Sequence, residues 1–79
     1  MRLDKFLKVS RIIKRRTVAN EVCDAKHVNV NGKPARASYD VKEGDVIEIT
    51  FGQKITQYHA LNVTEYATKA SASSMYKEL

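Results

Sequence analysis

The apolar residues of this 79-residue chain change their spacing at Lys26, and this change constrains the fold more than any other feature. Before Lys26 they recur every three to four positions, which is typical of amphipathic helices. After it, Val28 and Val30 alternate with asparagines, as residues of a half-buried strand do. A chain of this length makes one domain. We therefore predict an α+β fold, in which two N-terminal helices pack on a small twisted antiparallel sheet.

Two short helices are predicted before Lys26. Leu3, Phe6 and Leu7 form an apolar stripe for the first helix, and a break is expected between residues 10 and 14. The second helix is predicted from about Arg16 to Ala25. Its residues divide into an apolar face, Val18, Ala19, Val22 and Cys23, and a water-facing set, Asn20, Glu21 and Asp24.

Turn residues divide the remainder of the chain into strands. Asn31-Gly32 is a strong hairpin signal after Val28–Val30, and Pro34 predicts a returning strand that is short or at a sheet edge. Gly44 predicts a turn that requires a positive φ. Two more strands are predicted: 46–51, with Ile47, Ile49 and Phe51 on one face, and 55–63.

The net charge of +5 is concentrated at one end of the chain. Residues 1–16 hold seven of the fourteen Lys and Arg residues and one acidic residue, whereas the remaining residues are close to neutral. This distribution predicts a surface that binds a polyanion. The seven basic residues are Arg2, Lys5, Lys8, Arg11, Lys14, Arg15 and Arg16.

Three of these cations crowd the start of the second predicted helix. The helix dipole disfavours Lys14, Arg15 and Arg16 there by about 0.3–1 kcal/mol each when they are exposed. The same helix end presents backbone N–H groups that bind anions such as phosphate. Cations placed where the helix dipole disfavours them indicate a functional site.

Other classes of protein are poorly supported. Cys23 has no partner for a disulfide, which fits a reducing compartment, and no apolar run is long enough to span a membrane. Cys23 and His27 have the spacing of two ligands on one helix face but lack a third, so a buried thiol is preferred to a metal site. No glycine-rich loop or catalytic set is recognisable, so no enzyme, metal or cofactor is predicted. An organellar transit peptide is also basic, but its removal would delete residues that this small domain needs.

Four fragments of the chain, in order and close to the usual spacing, resemble a known module. They are Arg-Leu-Asp-Lys-Phe-Leu (2–7), Arg-Arg-Thr-Val-Ala (15–19), Val-Asn-Val-Asn-Gly-Lys (28–33) and Val-Lys-Glu-Gly-Asp-Val-Ile (41–47). Together they resemble the S-four RNA-binding domain, also called the alpha-L RNA-binding motif. The likeness is greatest to the stand-alone heat-shock-protein-fifteen-like group and its short ribosome quality-control members. We expect an S-four-like RNA-binding domain over 1–52, extended over 53–79 by a strand and a marginal helix that a partner would help to order.

The resemblance implies a function on the large ribosomal subunit. Members of this group bind large subunits that still carry a nascent chain on tRNA after a stalled ribosome has split. The implied partners are large-subunit rRNA, the peptidyl-tRNA and an elongation factor that adds a C-terminal tail to the nascent chain. The implied location is the cytoplasm, with no membrane and no small-molecule substrate.

The resemblance also assigns an RNA-binding face to the first two helices. By their positions in the motif, the residues of this face are Arg2, Lys5, Arg11 and Arg16. Arg15 stands where the family often has a capping Ser or Thr, so an additional cation replaces a cap. From the residues themselves we expect Lys8 and Lys14 to add positive field, and Lys33 to approach RNA from the hairpin turn.

Asp4 is the single acid among these cations, and it is predicted to orient Arg16 or Arg11 rather than to touch RNA. Four tyrosines are predicted to pack in the core or on the sheet rather than to stack on bases: Tyr39, Tyr58, Tyr66 and Tyr76. Three alternatives stay open: an rRNA-binding role in ribosome assembly, a basic membrane-surface protein, and a protein-interaction module. The sequence does not distinguish oligomeric states.

Overall fold

The computed structural model describes all 79 residues and places two helices against a five-stranded antiparallel sheet, as predicted. The strand order is β2-β1-β3-β4-β5. None of the helices has the length and apolar character needed to cross a membrane. The elements are α1 (Leu3–Val9), α2 (Arg16–Asp24), β1 (Val28–Val30), β2 (Lys33–Pro34), β3 (Val46–Phe51), β4 (Lys54–Ala60), α3 (Lys69–Ala72) and β5 (Tyr76–Glu78).

The two N-terminal helices bury the stripes that their spacing predicts. Leu3, Phe6 and Leu7 of α1 are fully buried, as are Ala19 and Cys23 of α2. The predicted break separates the helices over residues 10–15. Most of the apolar face of α2 thus lies inward, and Glu21 and Asp24 are exposed as predicted.

One residue of the predicted apolar face of α2 lies outside the core. Val18 is exposed, although Val22 packs against the core. At 3.6 residues per turn Val18 is about 100° around the helix from Ala19, at the margin of the buried stripe. The prediction for Val18 was therefore wrong.

The hairpin between β1 and β2 forms at the predicted position. Asn31 and Gly32 both have positive φ, of 53° and 82°, as a two-residue type I′ turn requires. The returning strand contains only Lys33 and Pro34 and lies at the edge of the sheet. A proline lacks the N–H group that a second neighbouring strand would need, which explains both features.

The long hairpin of β3 and β4 differs from its prediction at both ends. Ile47 and Ile49 are fully buried, but Phe51 is 48% exposed because it is the last residue of β3 and projects beyond the core. β4 ends at Ala60 rather than residue 63. The N–H group of Leu61 instead donates to the carbonyl oxygen of Met75.

The C-terminal segment was wrongly predicted to be a helix as far as Leu79. Only Lys69–Ala72 are helical, and Tyr76–Glu78 pair with β4 as a fifth strand. Tyr76 packs edge-on against Tyr58, with ring centroids 5.4 Å apart. The strand forms because β4 would otherwise leave its backbone groups unpaired, a non-local cause that helical spacing does not reveal.

The buried carboxylate of Asp45 links the turn of the β1–β2 hairpin to the segment that leads into β3. Asp45 accepts hydrogen bonds from the Asn31 amide, the Tyr39 hydroxyl and the Lys42 backbone N–H, at 2.9–3.1 Å. The Asn31 side chain in turn accepts one from the N–H group of Val46. Burial alone would raise the pKa of the Asp45 carboxyl, but these donors and the Lys42 charge hold it below the usual 3.8.

Asp45→Asn is expected to lower the free energy of unfolding by about 2 kcal/mol at pH 7, because it removes charge-assisted hydrogen bonds. The lowered pKa means that the ionised carboxylate stabilises the fold above its usual pKa of 3.8. That stabilisation is lost as the pH falls through the folded-state value. Urea unfolding between pH 2 and pH 7 should therefore show a shallower pH dependence in the variant.

Glu43→Gln is the matched control for this measurement, since Glu43 lies in the same turn, is exposed and forms no side-chain hydrogen bond or ion pair. We expect it to leave the free energy of unfolding unchanged. Equal losses in the two variants, or an unaltered pH dependence in Asp45→Asn, would contradict a stabilising role for the Asp45 network.

Candidate nucleic-acid interface

Asp4 lies at the centre of a polar cluster between α1 and α2. Its side chain is only 3% exposed, and its carboxylate accepts hydrogen bonds from Arg2, Asn20 and the backbone N–H of Lys5. Burial by itself would raise the pKa of this carboxyl. The Arg2 and Asn20 donors, the Arg16 charge and the Lys5 N–H hold the pKa below its usual value, so Asp4 is an anion near neutral pH.

Arg2 binds the carboxylate of Asp4 through two nitrogen atoms. Nε lies 3.1 Å from Oδ1 and Nη2 lies 3.3 Å from Oδ2. The backbone of Arg2 forms an isolated β-bridge with Asp40, which anchors the start of the chain to the segment between β2 and β3. The side chain is still 50% exposed, so the remaining N–H donors of its guanidinium group face solvent.

Arg16 approaches the same carboxylate from the first residue of α2. Its Nε lies 3.5 Å from Oδ2 of Asp4, and its side chain is 49% exposed. Arg15, the N-cap residue, forms no side-chain capping hydrogen bond. The first turn of α2 therefore presents uncapped N–H groups next to the Arg16 guanidinium, and both favour an anion.

The predicted partners of Asp4 are only partly those observed. Arg16 is one of its two arginine partners, Arg2 is the other, and Arg11 forms no contact with it. We call Asp4, Arg2, Arg16 and Asn20 the Asp4 cluster. An open cleft of about 390 Å³ beside it is lined by Asp4, Arg16, Thr17, Asn20 and Glu21.

Asn20 was predicted to face water, but it is only partly exposed and its amide binds Asp4. Its amide Nδ2 donates to Oδ2 of Asp4 at 3.3 Å. Asn20 lies four residues after Arg16, so the two side chains are on the same face of α2. That spacing was the available signal for adding Asn20 to the site.

Three of the predicted cations gather at a second place. Lys8, Arg11 and Lys14 line a cleft of about 450 Å³ together with Lys69 of α3. None of the four forms an ion pair. We call these residues the four-cation cleft. Lys69 was missed because it lies far along the chain and only the tertiary fold brings it here.

The other predicted site residues are placed differently. Lys5 is half-buried, with Nζ 3.7 Å from the Glu65 carboxylate and 6.0 Å from the centroid of the Tyr66 ring. Lys33 is exposed on the edge strand β2 and lines neither cleft. Five of the eight predicted cations thus fall into two groups, Arg2 and Arg16 in the Asp4 cluster and Lys8, Arg11 and Lys14 in the four-cation cleft. Lys5, Arg15 and Lys33 belong to neither group.

The cysteine and most of the tyrosines serve the fold. Burial, with the nearby charges of Asp4 and Asp24, raises the pKa of the Cys23 thiol to about 12, so the thiol stays protonated in the core. Tyr39 and Tyr58 pack against the core. Tyr66 is different, since it is 86% exposed, and the predicted packing role was wrong for it.

Comparison with known proteins finds the S4 domain family over residues 1–47 of the chain. The matched segment contains both N-terminal helices, the β1–β2 hairpin and the start of β3. It includes Arg2, Asp4 and Arg16 but ends before Lys69.

Two bacterial proteins, both named RQC P-site tRNA stabilizing factor, are similar along nearly the whole chain. The protein from Halalkalibacterium halodurans is 54% identical over 77 residues, covering 98% of this chain and 88% of its own length. The protein from Bacillus subtilis is 50% identical over 76 residues, covering 96% of this chain and 88% of its own length.

The fold is also similar to a solved structure, the trimeric structure of Vibrio cholerae heat shock protein 15. The two chains superpose with a TM-score of 0.90 at 26% sequence identity, covering all of this chain and 81% of the other. The resemblance in sequence thus extends to the arrangement of the helices on the sheet.

Proposed function

The chain belongs to the S4 domain family and is a close relative of RQC P-site tRNA stabilizing factors, and on that premise we propose that it binds RNA and stabilises the P-site tRNA in ribosome-associated quality control. It does so without catalysis, as a clamp between two RNAs. Residues 1–52 supply most of the RNA-binding surface, and residues 53–79 extend the same domain and add Lys69 to that surface.

The observation that carries this proposal is the pair of half-exposed arginines held by buried Asp4. Arg2 and Arg16 each use part of the guanidinium group on the carboxylate and keep the rest in solvent. A planar guanidinium group whose orientation is restricted donates two parallel hydrogen bonds to a phosphate at little entropic cost. The Asp4 cluster therefore supports recognition of a phosphate backbone with defined geometry.

Recognition through phosphates suits structured RNA. Double-stranded RNA is read mostly by its shape and backbone, because its deep major groove excludes side chains.

Clamping requires contacts with two molecules, and the chain presents two cationic groups, the Asp4 cluster and the four-cation cleft. Large-subunit rRNA and the peptidyl-tRNA are the proposed partners, on a subunit that also binds the tailing elongation factor, in the cytoplasm.

Asp4→Asn is expected to weaken RNA binding about tenfold although it makes the chain more positive, because an amide does not hold two guanidinium groups in place. Affinity measured by fluorescence anisotropy, together with circular dichroism to show that the variant is folded, tests this expectation.

Glu21→Gln is the matched control, because Glu21 lines the same cleft but is exposed and forms no ion pair. It removes a negative charge without touching the arginines, so it should leave the affinity unchanged or increase it slightly. Tighter binding by Asp4→Asn would show that Asp4 contributes only its charge.

Sedimentation of the tagged chain from a bacterial lysate through a sucrose gradient, with sequencing of the bound RNA, tests the proposed function. We expect it with free large subunits that carry peptidyl-tRNA, and we expect Arg2→Ala/Arg16→Ala to remain at the top of the gradient. Recovery on small subunits, or on large-subunit precursors without tRNA, would overturn the proposal, and the second result would favour ribosome assembly.

A further inference from the structure

The four-cation cleft joins residues from the two ends of the chain. Lys8 lies in the last turn of α1, Arg11 and Lys14 lie in the loop before α2, and Lys69 is the first residue of α3. No acidic residue lines this cleft. Four like charges brought together without counter-ions repel one another, and a bound polyanion relieves that repulsion.

An exposed tyrosine borders the same surface. Tyr66 lines a smaller cleft of about 170 Å³ together with Lys8 and Arg11, which both clefts share, and with Glu65. At 86% Tyr66 is more exposed than any other large apolar side chain, and its hydroxyl forms no hydrogen bond. Its backbone carbonyl accepts a hydrogen bond from the Thr64 hydroxyl, which fixes the loop beside the ring. The exposed ring thus lies next to the unpaired Lys8 and Arg11, and 6.0 Å from the Nζ of the ion-paired Lys5.

The backbone at Arg11 places its side chain at this surface. Arg11 follows the C-cap of α1 with a φ of 64°, a left-handed conformation that glycine usually adopts after a helix. A side chain at such a position is unfavourable for the fold. Lys26 adopts the same conformation after α2, so this is how both helices end, and glycine at position 11 would not disturb the fold.

We propose that this surface binds an unpaired RNA nucleotide, with its base stacked on Tyr66 and its backbone phosphates in the four-cation cleft. The inference rests on the proposed RNA-binding function and deepens it, because it adds a single-stranded or bulged nucleotide to the structured RNA held by the Asp4 cluster. Bases inside a duplex are stacked on each other, so only an unpaired base reaches an aromatic side chain. The site uses Tyr66 and Lys69, which lie outside the segment that matches the S4 domain family.

The test uses the full chain and two RNA hairpins, one with a fully paired stem and one with a single unpaired adenosine in the same stem. We expect the unmodified chain to prefer the bulged hairpin. Tyr66→Ala should weaken binding to the bulged hairpin about tenfold, as the loss of one base–aromatic stack does, and leave the paired hairpin unchanged. Tyr66→Phe keeps the ring and should restore the preference.

Two cation variants, Lys69→Gln and Arg11→Gly, test the phosphate part of the site, and Lys54→Gln is their control. Lys69→Gln should weaken binding to the bulged hairpin. It should also make the slope of log affinity against log salt shallower by about one. Lys54→Gln removes an exposed lysine of β4 that lines neither cleft, and it should change nothing. Arg11→Gly should weaken binding without lowering the thermal stability, because glycine relieves the left-handed backbone.

The outcomes separate this inference from the proposed function. Binding of both hairpins with no effect of Tyr66→Ala, or with the same effect on both, would overturn the nucleotide site and leave RNA binding by the Asp4 cluster intact. Binding of neither hairpin would contradict RNA binding itself. Tyr66-dependent binding to phosphatidylglycerol vesicles, without discrimination between the hairpins, would assign the surface to a membrane.

Discussion

Raising the salt concentration from 50 to 200 mM is expected to weaken binding of this chain to structured RNA about a thousandfold. The estimate assumes that about six phosphates are neutralised, which releases a similar number of condensed counter-ions. Residues 1–16 carry seven cations and one acid, and the clefts on the helical side gather most of them. Anisotropy titrations at four salt concentrations give the slope of log affinity against log salt.

The slope also reports which cations contact phosphate. Arg16→Ala should make the slope shallower by about one, whereas Lys54→Gln should leave the slope unchanged. An affinity that is flat across this salt range would contradict electrostatic docking through the basic segment, and it would favour a partner recognised by apolar contacts.

Arg2→Ala/Arg16→Ala is expected to weaken RNA binding by a hundredfold or more. Each half-exposed arginine supplies charge-assisted hydrogen bonds, and such bonds contribute about 1.5–3 kcal/mol apiece. The double variant also leaves the buried carboxylate of Asp4 without a cation, so its folding must be checked by circular dichroism. Arg2→Lys/Arg16→Lys retains the charge and loses only the planar fork, and we expect an intermediate loss of about tenfold.

Lys54→Ala/Lys77→Ala is the matched control, since it removes two exposed lysines from β4 and β5 that form no ion pair. It should lower the affinity at most slightly. Equal losses in the two double variants would show that only total charge matters. Unchanged binding by Arg2→Ala/Arg16→Ala would remove the Asp4 cluster from the interface and favour a protein-interaction role.

Local signals accounted for most of the fold. The stripe of Leu3, Phe6 and Leu7 predicts α1, and Asn31-Gly32 predicts the hairpin, because each depends on residues close in sequence. The C-terminal strand was missed because its cause is the unpaired edge of β4, sixteen residues earlier at the Ala60–Tyr76 pair. Pairing across such a distance leaves no periodic trace in a three-residue strand.

The site was predictable where charge and spacing are local. The crowding of cations before α2 indicated Arg16, and the single acid among them indicated an orienting role for Asp4, which remains a prediction to be tested. Tyr66 and Lys69 were not predicted as site residues, because their place beside Lys8 and Arg11 depends on how the C-terminal segment folds back. Tyr66 differs from the three other tyrosines in that its side chain is exposed, and the sequence composition does not reveal this difference.

The most direct measurement of the central claim is the rate at which labelled peptidyl-tRNA dissociates from isolated large ribosomal subunits. A factor that stabilises the P-site tRNA slows this dissociation. We predict a slower rate when the unmodified chain is added and no change when Arg2→Ala/Arg16→Ala is added. Equal dissociation rates with and without the unmodified chain, under conditions where it sediments with the subunits, would contradict the account.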